Sequence, residues 1–308
     1  MVPRSGRAKG VDILVINKTY PDSKCQGKHF GTCHFKLIVT KDTDCYWINE
    51  EGENQLLFKF RKNAIKLSKV KLEEVREIYE KYGKKGILHK GKLQNKNEFM
   101  NSSNLSPTRN ERSKISGFYD RTSRRLSSEF KTQNVCRTTA FTRDNFEKWE
   151  QVLPFFEKIS LLYKRLAPKE FKRQIDLFKK CPPNMQVGKT PFTTITSNYN
   201  WRTACDKVAA AERCHKDKGD YEEGLGNLTI LGDDTFKGGY LGFPQFKVAI
   251  DVKPLDFVIM DVHQWHCNTQ LKANDNNVRL SFVCYFRKNM IYCNGKKVIK
   301  GETFYYKK

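Results

Sequence analysis

Past Pro191 the chain turns into a succession of short extended runs. Phe192–Tyr199, Gly226–Leu231, Phe246–Val252, Phe257–Asp261 and Val278–Arg287 are β-branched or aromatic, and Gly, Pro, Asp and Asn separate them. Runs of that length and content read as strands. The tail adds Met290–Cys293, then Asn294-Gly295, then Lys296–Ile299, a hairpin signal, because Asn-Gly adopts the left-handed conformations that a two-residue turn needs. The segment before Pro191 has a different period. Phe146, Trp149, Leu153, Phe156, Ile159, Tyr163 and Leu166 recur at spacings of three and four, which predicts an amphipathic helix. Asp144 or Asn145 is its expected cap, and Pro154 is expected to kink or split it. Pro168 fits the first turn of a second helix carrying Phe171, Ile175 and Phe178. Helices followed by consecutive strands argue for the α+β class, an antiparallel β-core braced by helices.

Upstream, residues 1–80 read as a small mixed unit. Phe35–Thr40 and Cys45–Asn49 are expected strands, and Val70–Tyr82 is an expected helix with Val75, Ile78 and Tyr79 on one face. Cys25, His29, Cys33, His34 and Cys45 lie close together there, but their spacing matches no zinc pattern, so they read as scattered core thiols and imidazoles. Residues 81–131 hold 13 Lys/Arg against 4 Asp/Glu and almost no apolar periodicity around Asn95–Arg112. That composition reads as a basic, Asn/Ser-rich linker or insertion, either a phosphate-gripping arm or a solvated loop. Residues 132–308 form the third expected unit, which carries the helices and strands above.

The 308 residues carry 57 Lys plus Arg against 34 Asp plus Glu, a net charge of +23. A surface that positive attracts polyanions, of which nucleic acid is the commonest. The 38 Phe, Tyr and Trp supply a real core and exclude a wholly disordered chain. No apolar run approaches the ~18 residues of a membrane span, and Val11–Ile16 is too short for a signal-peptide core of about 7–15 residues. Ten Cys without any C-x-x-C are expected to be reduced, in a nuclear or cytoplasmic protein that is not secreted.

Half of the six His fall between 215 and 266. His215-Lys216-Asp217 has the form H-x-D, and in an extended segment alternate side chains face the same side, so His215 and Asp217 can grip one ion together. A second His from a neighbouring strand completes a two-His-one-carboxylate face, the ligand set of non-haem Fe(II) oxygenases. His263 and His266 both follow the strand Phe257–Asp261, and His266 fits better because it lies farther beyond the strand end. Arg279, inside Val278–Arg287, suits the distal carboxylate of 2-oxoglutarate, which a guanidinium holds with two parallel hydrogen bonds. Ser281 faces the same way two residues on and adds a hydroxyl. Tyr199, Trp201, Tyr240, Phe243 and Trp265 lie near these motifs and read as core or as stacking surfaces for a base.

The segments CHKDKGDYEEGLGNLTIL, GGYLGFPQF, DFVIMDVHQWHCNTQL and VRLSFVCYFR resemble the oxygenase core of the TET/JBP family of nucleic-acid base dioxygenases, and SGFYDRTSRR and CRTTAFTRDNFEKW resemble its lead-in. The resemblance covers roughly residues 115–295. It implies a double-stranded β-helix (jelly-roll) core that uses Fe(II), 2-oxoglutarate and O₂ to hydroxylate the 5-methyl group of 5-methylcytosine or thymine in DNA. Carried over residue by residue, His215, Asp217 and His266 match the iron ligands, and Arg279 and Ser281 match the 2-oxoglutarate clamp. One departure is the charged stretch Cys205–Cys214, longer than the family pattern suggests. A duplex hides its bases, so such an enzyme must flip the nucleotide into a pocket at a cost of a few kcal/mol. The rival readings are the same chemistry on a protein side chain or small molecule, and a non-catalytic nucleic-acid-binding homologue.

Overall fold

A computed structural model describes residues 10–85, 111–121, 126–130, 133–201, 213–272 and 278–308. In chain order these form β1 (Asp12–Ile16), β2 (Leu37–Val39), β3 (Thr43–Ile48), β4 (Asn54–Arg61) and α1 (Lys69–Lys85). β5 (Glu111–Tyr119), α2 (Ser127–Phe130), β6 (Val135–Thr138) and α3 (Ala140–Asp144) lead to α4 (Phe146–Leu166) and α5 (Pro168–Leu177). The strand-rich part holds β7 (Thr194–Trp201), β8 (Gly226–Gly232), β9 (Lys237–Gly238), β10 (Leu241–Phe243), β11 (Val248–Ile250) and β12 (Phe257–Met260). β13 (Cys267–Asn268), β14 (Leu271–Lys272), β15 (Val278–Tyr285), β16 (Gly295–Ile299) and β17 (Glu302–Tyr306) complete it.

Two sheets face each other. The larger runs β1-β3-β4-β12-β8-β15-β7-β5-β6-β17-β16, and the smaller runs β13-β10-β11-β2. β12, β8, β15 and β7 pair antiparallel at the centre of the large sheet, and β13, β10 and β11 pair antiparallel opposite them. This is the double-stranded β-helix, and helices α1 and α4 cover the outer face of its large sheet. On that face Phe155, Phe156, Ile159 and Tyr163 of α4 meet Ile195, Leu280, Phe282 and Phe257. Each fully buried side chain of that size contributes roughly 1.5–3 kcal/mol by leaving water. Between the sheets, Leu228, Ile230, Val258 and Met260 meet Phe243, Val248 and Ile250. The central strands are thus buried on both faces, which is why they read as continuous apolar runs.

Four expectations change. Residues 1–80 do not stand apart: β3 and β4 join the large sheet through β12, and β2 joins the small sheet through β11. Within residues 81–131, β5 is a full sheet strand that pairs with β7 from Glu111↔Asn200 to Gly117↔Thr194. Arg124 and Arg125 of that stretch, and residues 86–110, lie outside the described residues. α4 runs through Pro154 unbroken. The tail hairpin is real but sits elsewhere: Met290 and Ile291 belong to a 3-10 turn, and Lys300 (φ +50°) with Gly301 (φ +80°) closes β16 onto β17. Both turn residues hold left-handed conformations, the requirement that Asn-Gly was expected to meet.

The cysteines also differ from expectation. Cys136 on β6 and Cys293 after the 3-10 turn form a disulfide with Cα atoms 6.1 Å apart, so that pair is not reduced. The other described cysteines are free thiols. Cys25, His29, Cys33, His34 and Cys45 form no metal-holding cluster among the described residues. Cys25 and Cys45 are fully buried, and His34 packs its ring among Tyr20, Phe30 and Phe35.

Candidate active site

The centre of the site is a backbone bridge between the two imidazole-bearing segments. His215 N–H donates to His266 O at 2.9 Å, and His266 N–H donates to His215 O at 3.0 Å. This reciprocal pair sets the two rings side by side, with centroids 4.4 Å apart. Asp217 follows His215 by two residues, and its own N–H is fixed by Val262 O at 3.0 Å. Its carboxylate faces both rings: Oδ1 lies 3.6 Å from His215 Nε2 and Oδ2 lies 3.6 Å from His266 Nε2. Among the described residues these three are the one group whose ligand atoms all lie within 4.8 Å of each other.

The donor set fits a divalent cation. Nδ1 of His215 lies 2.7 Å from Arg213 O, and Nδ1 of His266 lies 3.0 Å from Gln264 O. A carbonyl only accepts, so each Nδ1 carries the proton and each Nε2 lone pair points inward, the arrangement that orients imidazole ligands. Burial, helped by the neighbouring His215, pushes His266 below the ordinary imidazole value against the pull of Asp217, which keeps it neutral. Two ligand atoms about 2.1 Å from one ion at right angles stand about 3 Å apart, so gaps of 3.6 Å are close to ligating geometry. Two imidazoles and one carboxylate on one face leave the opposite positions open, which suits non-haem Fe(II).

His263 stands apart from this group. Its Nδ1 faces Asp261 Oδ1 at 3.4 Å. The hydrogen bond it donates to the Asp261 carboxylate pushes the imidazole above its ordinary value although burial opposes it.

β15 supplies one wall. Its alternate residues Arg279, Ser281, Val283 and Tyr285, with Arg287 just beyond, all line one cavity of about 230 Å³ with the two His and Asp217. The residues between them, Leu280, Phe282 and Cys284, are buried against the helices instead. Arg279 and Ser281 are themselves 6% and 2% exposed. The structure therefore brings all five residues singled out from the sequence to one cavity. Of the aromatic candidates, Tyr199 and Phe243 are core, and Tyr240 and Trp265 pack around Cys25 and Cys214. The side chain of Trp201 lies outside the described residues.

Four residues at the far end of β15 escaped the sequence reading: Tyr285, Arg287, Asp120 and Asp220. Arg287 Nε donates to Asp120 Oδ1 at 2.9 Å and its Nη2 lies 2.7 Å from the same oxygen. Its guanidinium also stacks on Tyr119, 4.6 Å from the ring centre. Asn289 Nδ2 donates to Asp120 Oδ2 at 2.8 Å. Asp220, which lines the same cavity, is 7% exposed, and burial, then the Asp217 charge, raises its carboxyl well above the usual range against the pull of Arg287. The alternation that pointed to Ser281 also reaches Tyr285 and Arg287. Asp120 had no local signal, since its partner is 167 residues away.

Residues 114–288 match the family described as the oxygenase domain of the 2OGFeDO superfamily, Tet_JBP. Among curated proteins, thymine dioxygenase JBP1-A of Trypanosoma cruzi is 33% identical over 155 residues, 49% of this chain and 17% of that protein. Thymine dioxygenase JBP1 of Trypanosoma brucei brucei is 32% identical over the same shares. The match thus spans about a sixth of the length of these relatives. Among solved structures, NgTET1 in complex with 5mC DNA aligns with a TM-score of 0.49 and 13% identity, over 90% of this chain and 83% of that one.

Proposed function

The chain belongs to the Tet_JBP family of 2-oxoglutarate and Fe(II) oxygenase domains, and from that premise we propose that it hydroxylates the 5-methyl group of a pyrimidine, 5-methylcytosine or thymine, in DNA. The observation that carries this reading is the convergence of His215, Asp217 and His266 with Arg279 and Ser281 on one cavity. The thymine dioxygenase activity of the JBP1 relatives and the charge of +23 support a DNA substrate.

In this reading His215, Asp217 and His266 hold Fe(II). The iron, with 2-oxoglutarate and O₂, supplies the oxidant for an unactivated C–H bond. Arg279 receives the distal carboxylate of 2-oxoglutarate with its planar fork, and Ser281 adds a hydroxyl to it. The apolar side chains of Leu228, Leu241, Met260 and Val283 exclude water from that end of the cavity. The flipped base enters past Tyr285, Asp220 and Arg287, where an aromatic face and fixed polar groups orient the methyl toward the metal. The protein acts where DNA is held, and no helix among its described residues is long and apolar enough to cross a membrane. A non-catalytic homologue has no chemical need for all five residues in one cavity.

The test is mass spectrometry of nucleosides after incubating the purified protein with Fe(II), 2-oxoglutarate and duplexes carrying either thymine or 5-methylcytosine. A hydroxymethylated pyrimidine from one duplex supports the reading and names the base. Turnover of 2-oxoglutarate without any oxidised base in either duplex, but with a modified peptide, overturns it.

A further inference from the structure

Arg279 presents a long, flexible side chain from a strand, yet a carboxylate clamp works only if the guanidinium plane is already aimed. Phe236 packs against Arg279. It is 2% exposed, does not line the cavity, and its ring centre stands 5.7 Å from the Arg279 guanidinium carbon. That distance is within the range at which a guanidinium is held by the negative face of an aromatic ring.

The ring is itself held from elsewhere. Lys253 Nζ lies 4.6 Å from the ring centre and donates to Phe236 O at 3.0 Å, so it grips both the side chain and the backbone of the same residue. Lys253 is fixed in turn, through its N–H to Asp256 Oδ2 at 2.9 Å and its ammonium 3.4 Å from Asp251 Oδ1. The chain leaves Phe236 through Gly238 (φ +74°) and Gly239 (φ +65°), conformations that suit glycine. At Gly239 a Cβ would stand 2.8 Å from Leu271 Cδ1 and 3.7 Å from Arg279 Nε, so this turn passes tightly beside the arginine. A buried ring, a tethering lysine and a glycine turn thus enclose one side of a single guanidinium.

We infer that Phe236 is a positioning residue for the co-substrate: tethered by Lys253, it aims Arg279 at the distal carboxylate of 2-oxoglutarate. The inference deepens the reading above and rests on it, since Arg279 must be the carboxylate clamp. Phe236 touches neither iron nor substrate, so its influence is selective. It acts on ligands that carry the distal carboxylate and leaves the metal and the 2-oxo end alone.

The experiment measures binding by calorimetry to the full chain loaded with Mn(II), with two probes: 2-oxoglutarate, and pyruvate, a 2-oxo acid without the distal carboxylate. Phe236→Leu keeps an apolar side chain, though a smaller one, and removes the π face. It is expected to raise the 2-oxoglutarate Kd by about 5- to 30-fold, the span of a desolvated cation–π contact. The Mn(II) and pyruvate Kd values should stay within about twofold of the parent. Phe236→Tyr restores the π face and should recover most of the loss. Lys253→Met, at a side chain 23% exposed, offers a route that leaves the ring in place and should show the same selective weakening in smaller degree. It decides the matter if Phe236→Leu fails to fold. Unchanged 2-oxoglutarate binding in these variants, with weakening in Arg279→Lys, overturns the role of Phe236 alone. Unchanged binding in Arg279→Lys overturns the clamp itself, and this inference with it. Equal weakening toward 2-oxoglutarate and pyruvate would mark Phe236 as merely structural.

Discussion

Replacing Asp120 with alanine is expected to destabilise the protein by about 3 kcal/mol, the lower end of the range for breaking a buried ion pair. Asp120 is 2% exposed on its side chain and receives Arg287 Nε at 2.9 Å, Arg287 Nη2 at 2.7 Å and Asn289 Nδ2 at 2.8 Å. The substitution strands the Arg287 charge in a place where solvent replaces little, since that side chain is only 16% exposed. The lower end of the range applies because Tyr119 still faces the guanidinium. Urea unfolding at neutral pH reads the effect as a fall of about 1 M or more in midpoint. The decisive comparison is the double variant Asp120→Ala with Arg287→Met. Removing both charges should return the midpoint toward the parent, because a buried pair and an apolar pair of similar volume differ little in stability. If the double variant is less stable than Asp120→Ala, or if Asp120→Ala unfolds like the parent, the account of this pair is wrong.

Other expectations concern the metal, pH and redox state. His215→Ala, Asp217→Ala and His266→Ala should each abolish 2-oxoglutarate turnover, whereas His263→Ala should keep a measurable part; a dead His263→Ala beside an active His266→Ala would reassign the distal ligand. The His263 pKa is raised by its Asp261 partner, so that pair adds stability that is full below the unfolded value of about 6.5 and is lost as pH rises through the folded value. His263→Gln should therefore flatten the change in urea midpoint of the metal-free protein from about pH 6 to about pH 8. An equal slope in parent and variant would assign the dependence to other groups. The Cys136–Cys293 bond closes a loop of 157 residues, for which chain entropy gives up to about 5 kcal/mol. Dithiothreitol should lower Tm in the parent and not in Cys136→Ser, and equal Tm values in all these samples would count against the disulfide.

The chemistry of the site was the most legible part of the chain because it depends on alternation. H-x-D places His215 and Asp217 on one side wherever the segment is extended, and the same rule carries Arg279 and Ser281 into the cavity. Applied two and three steps further it reaches Tyr285 and Arg287. β4 was missed because Leu57, Phe58 and Phe60 are buried on both faces, which erases the alternation that marks a half-exposed strand. The tail turn was misplaced because Asn294-Gly295 and Lys300-Gly301 both suit a tight turn, and only pairing between Gly295 and Tyr306 selects the second. The pairing of Cys136 with Cys293 had no sequence signal, since ten cysteines permit many pairings and composition favoured none.

The way the N-terminal strands are sewn into both sheets sets a timetable for biosynthesis. β4 pairs with β12 in the register Phe58↔Met260 to Arg61↔Phe257, and β2 pairs with β11 through Leu37↔Val248. Each partner is made roughly 200 residues later, which at about 5–20 residues per second is a delay of about 10–40 s on the ribosome. Through that interval the sheet of β1, β3 and β4 leaves the β4 edge that meets β12 unpaired, and the later strands that pack on Leu57, Phe58 and Phe60 have not been made. The nascent chain therefore carries an apolar strand edge that attracts holding chaperones, and slower translation before residue 257 lengthens its exposure. Substitutions in β4 should lower the yield of soluble protein more than their effect on the finished fold would suggest.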